Sequence, residues 1–194
     1  PKGDKKKGIE MLELVSEKGK YAQTESLYFL LQIYYIYERD YTKAVFYAKK
    51  LYEKYPANSF FYRYLGRAYA ASGFWKDADV IFREVLAKRQ QHAPYYNEYV
   101  EREARYYVAM SLMNDHKSTE ALEHFKLADK LCMKVDRADG SAYKTIITLR
   151  IGMLYDLLGN RPSALEHYKR VLEMKDYQDA HVQAKQYLKQ PHAG

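Results

Sequence analysis

Apolar and small residues recur along the chain at helical spacing, and the recurrence itself repeats. Around Ala78 the order is Leu65-Gly66, Tyr69, Gly73, Ala78, Phe82. Around Ala44 it is Leu31-Gln32, Tyr35, Ala44, Ala48, Leu51, then Pro56. The two alanines stand 34 residues apart, and self-similarity at that period predicts an array of helix–turn–helix units. Ala121 and Ala164 continue the series at steps of 43. Each longer step holds nine extra residues, read as loops or helix extensions: one near Gln90 to Glu98 with Pro94, one near Asp136 to Lys144 with Asp139-Gly140. Setting those aside restores the 34-residue register.

The register predicts units at 25–58, 59–92, 102–135 and 145–178, with inserts near 93–101 and 136–144. Gly8, Leu12 and Val15 read as the second helix of an earlier unit, so residues 1–24 are expected to be its remnant. Ala180, Ala184 and Leu188 read as a capping helix, with residues 179–194 forming that helix and a tail. A chain starting at Pro1 without Met, cut at one end and capped at the other, reads as the C-terminal part of a longer array. Asn58, Ser59 and Thr42 suit helix starts. Gly73 and Gly159 suit the ends of first helices, and Pro162 suits the first turn of a second one.

This pattern resembles the tetratricopeptide repeat (TPR) family over about four-fifths of the chain. The family places a small residue eighth in each unit, Tyr eleventh, Ala twentieth and an aromatic twenty-fourth, often with Pro thirty-second. Ile151-Gly152, Tyr155, Ala164 and Tyr168 follow it in the fourth unit; Val108-Ala109, Ala121 and Phe125 follow it in the third. Gln32 and Leu112 depart from it, and Pro56 alone fills the proline position. The resemblance implies an all-α fold, a right-handed α-solenoid of antiparallel helix pairs. Packing explains the residue types: Gly66, Ala109, Gly152 and the four alanines admit a close helix, while Tyr35, Tyr69, Tyr155, Phe82, Phe125 and Tyr168 fill the gaps.

The resemblance also implies that first helices line a concave groove. Its ligand-facing positions fall on Phe29, Ile33 and Tyr37; on Phe60, Arg63, Arg67 and Ala70; on Tyr106, Met110, Met113 and Asn114; and on Leu149, Met153 and Asp156. Aromatics and Met suit apolar anchors of a peptide. Arg63 and Arg67 lie one turn apart, and guanidinium groups hold carboxylates bidentately. The expected partner is therefore a protein or peptide with acidic and apolar character. The Lys/Asn clamp of the chaperone-binding subgroup is missing from these positions.

Charge and chemistry change this picture little. The net charge is +7 and thinly spread, with a mild concentration at residues 59–92, whereas nucleic-acid binders cluster it on one stripe. Tyr95, Tyr96 and Tyr99 are expected to extend the following helix and pack on the preceding unit; stacking on bases is the alternative. His124 and His167 repeat at one unit step and read as semi-buried surface residues, since no HExxH or His/Cys cluster accompanies them. Cys132, the one cysteine, reads as a buried small hydrophobe. Glu120, Glu123, Asp77 and Asp79 complement helix N-termini. No catalytic residue, metal site or cofactor is expected, and the chain reads as non-catalytic. The longest apolar stretch, Leu27 to Tyr37, is interrupted by Gln32 and falls short of a membrane span. Compartment is left open. The leading reading is an interaction scaffold; the alternatives are a self-assembling module, forming a homo-oligomer, and less favoured, a nucleic-acid-binding module.

Overall fold

The computed structural model describes residues 3–136 and 141–194. Asp139-Gly140, within the second insert, lies outside the described residues. Ten α-helices and one π-helical turn account for the described fold. The chain divides after Ile81 into two compact units.

The first unit begins with α1 (Lys5–Lys18), α2 (Gln23–Gln32) running into the π turn Ile33–Tyr37, α3 (Tyr41–Lys54) and α4 (Ser59–Ala71). Side chains start α1, α3 and α4 as helix physics demands, accepting from amides that the first turn leaves without partners. Asp4 accepts from the Lys7 amide, and Asn58 accepts from the Phe60 amide at 2.9 Å. Thr42 is not a cap: it lies inside α3, and Asp40 accepts from the Lys43 amide instead. Neighbours in sequence pack on one another, α1 on α2, α2 on α3, and α3 on α4. Leu30, Leu31, Ala44, Ala48, Leu51 and Ala68 are fully buried in the resulting core. Polar ties reinforce it. Glu13 of α1 accepts from the hydroxyls of Tyr34 and Tyr47, whose rings stack in parallel with centroids 5.6 Å apart. The turn after α4 has Gly73 at φ +82°, a left-handed conformation that glycine reaches at no steric cost.

The helix α5 (Trp75–Gln90) carries the division, and its second half belongs to the second unit. That unit continues with α6 (Glu98–Asn114), α7 (Ser118–Val135), α8 (Ala142–Leu157), α9 (Arg161–Leu172) and α10 (Ala180–Lys189). Asn97, Ser141 and Asn160 cap α6, α8 and α9, and Pro162 sits in the first turn of α9. Again each helix packs on its chain neighbour, α6 on α7, α7 on α8, α8 on α9, and α10 on both α9 and α8. Phe82, Ala109, Ala121, Phe125 and Ala164 are fully buried. Of the tyrosines near the first insert, Tyr96 is buried while Tyr95 and Tyr99 stay exposed, and only Tyr99 lies within α6.

Gly152 shows why a small residue is required. A Cβ built there would stand 2.7 Å from Cε1 of Tyr168 and 3.3 Å from Cβ of His167. The backbone of α8 therefore approaches α9 more closely than any side chain would permit.

Candidate functional site

In the first unit, α2 and α4 present an aromatic face. Tyr28 is its hub, with ring centroids 5.8 Å from Phe60, 6.2 Å from Tyr64 and 6.2 Å from Phe29. Phe60 lies 4.8 Å from Tyr64, and Tyr35 meets the edge of the same ring at 6.3 Å. These spacings are those of favourable aromatic pairs, three of them edge-on. The Arg67 guanidinium sits 4.8 Å above Tyr64, a cation–π arrangement that holds the charge beside the rings. Arg63 donates its Nε to the Ser59 carbonyl at 3.3 Å. Burial, and then the neighbouring Tyr64, raise the Tyr28 phenol above its ordinary value, with Arg67 opposing.

The face is open to solvent. Phe29 is 54% exposed, Phe60 39%, and Tyr37, at the end of the π turn, 75%. Ile33 and the two arginines are half-buried, and Ala70 is buried. A π turn inserts an extra residue into the helix and re-aims the side chains around it; Ile36 and Tyr37, its last two residues, are both exposed. Ile36 and Tyr64 stood outside the groove positions read from the sequence.

The second unit places its sequence-derived set differently. Tyr106 is largely enclosed, with its ring edge-on to Phe125, Tyr107 and Tyr143, and burial raises its phenol. Met110 and Met113 are half-buried, and Met113 packs on the core. Asn114 is exposed, but its amide donates to the Met110 carbonyl of its own helix. Leu149 and Met153 do not line an open surface. They are core residues, packed with Tyr168, Ala180 and Ala184, because α10 lies over α8 and α9 and covers that side. The Asp156 side chain is likewise enclosed, and it accepts from Arg161, from the Tyr168 hydroxyl and from the His192 amide.

Other candidates behave as packing residues. His124 and His167 are half-buried, and His167 Nδ1 lies 2.8 Å from the Ser163 carbonyl. Among the described residues no three His, Cys, Asp or Glu side chains are grouped to hold a metal ion. No described helix is long and apolar enough to cross a membrane. Cys132 is 1% exposed, and burial foremost, then Asp136, pushes its thiol up to about 12. Since the thiolate is the reactive form, a disulfide-exchange reagent at neutral pH should label the native protein at least about 100-fold more slowly than the urea-unfolded chain. Equal rates would contradict the burial.

Helix pairs stacked in this way define the class: the chain has the fold of a TPR solenoid. Solved structures similar to it include the MamA RS-1 ArsTM double mutant, at 17% identity with a TM-score of 0.66, covering 88% of this chain and 85% of that one. TTC0263, a thermophilic TPR protein in Thermus thermophilus, matches at 19% identity and a TM-score of 0.63, over 93% of this chain and 89% of that one. A further MamA structure matches at 17% identity and a TM-score of 0.59, over 87% and 85% of the two chains. At these identities the likeness is one of fold. No family model matches the sequence, and no curated protein does.

Proposed function

We propose that the protein is a non-catalytic interaction scaffold. Its TPR-like units are 25–58, 59–92, 102–135 and 145–178, and the first helices of the first two, α2 and α4, hold a segment of a protein partner on their exposed face. The observation that carries this reading is the open aromatic face of α2 and α4, with Phe29, Phe60 and Tyr64 around Tyr28 and Arg67 over the Tyr64 ring. Rigid rings offer contact area at small entropic cost, and an arginine held among them discriminates for acidic ligands. The ligand chemistry is therefore an extended or helical peptide with an apolar side chain next to a carboxylate.

Selection from a random peptide library displayed on phage tests this. Selected peptides should share an apolar residue beside an acidic one. Phe60→Ala should weaken their binding by about tenfold or more, as expected when a central aromatic anchor is truncated. Arg63→Ala combined with Arg67→Ala should weaken acidic peptides selectively. Undiminished binding by both variants, with unchanged far-UV circular dichroism, would refute the assignment.

Self-assembly is supported by a separate observation. Met11 and Leu14, three residues apart on α1, are both exposed, and apolar residues at that spacing share a helix face. Sedimentation across a range of concentrations distinguishes the two readings, since only association through α1 makes the mass rise with concentration and fall back in Leu14→Glu.

A further inference from the structure

The second unit contains an arginine that its own fold leaves without an acid. Arg150, on α8, is half-buried. Its Nη1 donates to the Met153 sulfur at 3.2 Å, and a thioether is a weak acceptor. Its Nε is enclosed and has no hydrogen-bond partner. Among the described residues no carboxylate stands within ion-pair distance of it. Arg102, Arg105 and Arg161 of the same unit each meet one: Asp136, Glu101 and Asp156. Asp156 is the one acid on α8, and Arg161 already donates to both of its oxygens at 3.0 Å. Arginine is seldom enclosed without a counter-charge. A donor shut away from water without an acceptor costs free energy, and such a group calls for an acceptor from elsewhere.

The surroundings of Arg150 suit an anion of single charge. Tyr106 of α6 reaches towards α8, its ring edge-on to that of Tyr143 at 5.4 Å. Burial raises the Tyr106 phenol, and Arg150 is near enough to oppose that rise. The phenol is therefore a neutral donor at neutral pH, and its hydroxyl forms no hydrogen bond among the described residues. His192, in the segment after α10, is half-buried. Burial first, then Arg150, hold its ring below the ordinary value against Asp156, so it adds no charge at neutral pH. Met110 stands one turn beyond Tyr106 on α6, on the same helix face. Met113 packs on the core that contains Met153. Both are half-buried, and thioether side chains adapt to an apolar neighbour.

We propose that Arg150 and the Tyr106 hydroxyl form a binding site for a carboxylate that a protein partner carries beside an apolar group. A guanidinium matches the plane of a carboxylate with two parallel N–H donors. Binding through Nε and Nη2 needs only a rotation of the side chain, because the Met153 sulfur is the one hydrogen-bond partner that holds it among the described residues. That rotation gives the enclosed Nε its acceptor. Charge decides between anions. One enclosed guanidinium balances one negative charge, whereas a phosphate monoester bears close to two and would bring an uncompensated charge into the enclosure. The site belongs to the second unit alone and does not rest on the aromatic face of the first.

The test uses the full chain and two probes. N-acetyl-leucine presents a carboxylate at a chain end, and N-acetylglutamic acid α-amide presents one on a side chain; N-acetyl-leucine amide is the uncharged control. Binding is read in 15N NMR from the Arg150 Nε–H and from the backbone amides of Met110, Met113 and Met153. At least one carboxylate probe should shift these signals saturably while the control does not, and the tighter of the two tells whether the partner offers a chain end or an acidic side chain. Followed by the backbone amides, Arg150→Met should weaken binding about tenfold or more, as the loss of a bidentate charged contact implies. Tyr106→Phe should weaken it about threefold or more, the loss of a hydrogen bond. Lys169→Gln, a loss of charge at an exposed position of α9, should leave it unaltered. Urea denaturation separates a binding role from a structural one. Arg150→Met replaces an unpaired charge with an apolar chain of similar length, so its midpoint should equal or exceed that of the parent. The proposal is overturned by shifts that fail to saturate with either carboxylate, by equal shifts from the amide control, or by undiminished binding in Arg150→Met or Tyr106→Phe. It is also overturned by a lower midpoint in Arg150→Met, or by tighter binding of N-acetyl-O-phosphoserine amide than of either carboxylate.

Discussion

Replacing Asp156 with alanine is expected to destabilise the second unit by about 1–3 kcal/mol, the cost of leaving buried donors, the Tyr168 hydroxyl first among them, without an acceptor. The side chain is wholly buried. Arg161 donates through Nη1 to both carboxylate oxygens at 3.0 Å, the Tyr168 hydroxyl donates at 2.7 Å, and the His192 amide donates at 2.9 Å. Arg161 passes the connection on: its Nη2 donates to the carbonyls of Tyr187, at 2.7 Å, and Leu188, at 3.1 Å, near the end of α10. One carboxylate therefore joins α8 to α9, to the last turn of α10 and to the segment after it. Asp156→Asn keeps the shape and loses the charge, so it should cost less than Asp156→Ala. Urea denaturation followed by circular dichroism measures both. A midpoint unchanged in Asp156→Ala would remove the carboxylate from its central place.

Gly152→Leu is expected to cost about 3 kcal/mol or more, beyond the ordinary range of overpacking, because the colliding group has nowhere to go. The Cβ alone would meet Cε1 and Cδ1 of Tyr168 at 2.7 and 3.0 Å. Tyr168 is fully buried, its hydroxyl is held by Asp156, and its ring lies 5.5 Å from that of Tyr187. Gly152→Ala opposes two effects. Alanine favours the helix by about 0.8–1.0 kcal/mol, whereas the clash costs about 1–3 kcal/mol, so a smaller net loss is expected. The same denaturation measurement applies. A stabilised Gly152→Ala would mean that α8 and α9 move apart freely.

Where a residue's type is dictated by one close contact, the sequence was enough to find it. Ala44, Ala78, Ala121 and Ala164 mark the repeat because only a small side chain fits there, and all four are fully buried. Gly73 and Gly159 were readable because both turn the chain through a left-handed φ. Periodicity tells which face a residue occupies and nothing of what covers that face. Leu149, Met153 and Asp156 share the register of Phe29 and Phe60, yet α10 lies over them. The helix itself was legible from Ala180, Ala184 and Leu188, but its landing place was not. Thr42 is of a type that suits a helix start, but Asp40 caps α3, and only the backbone path separates the two. The ion pair of Arg89 and Glu101 escaped for a related reason: the two meet across an irregular loop, which no helical period describes. The π turn at Ile33–Tyr37 leaves no signal in the sequence that we can identify.

Within each unit, helices pack on those beside them in the chain. The free energy of such a fold is close to a sum of local terms, one for each unit and one for each contact between neighbours. Ordering a helix pair does not wait for distant segments to find each other. Different stretches then open with free energies of their own, and a single unfolding constant becomes an average set by the probe. Trp75, the chain's one tryptophan, stands at the first turn of α5. Its fluorescence would follow the melting of that neighbourhood and stay silent about α10.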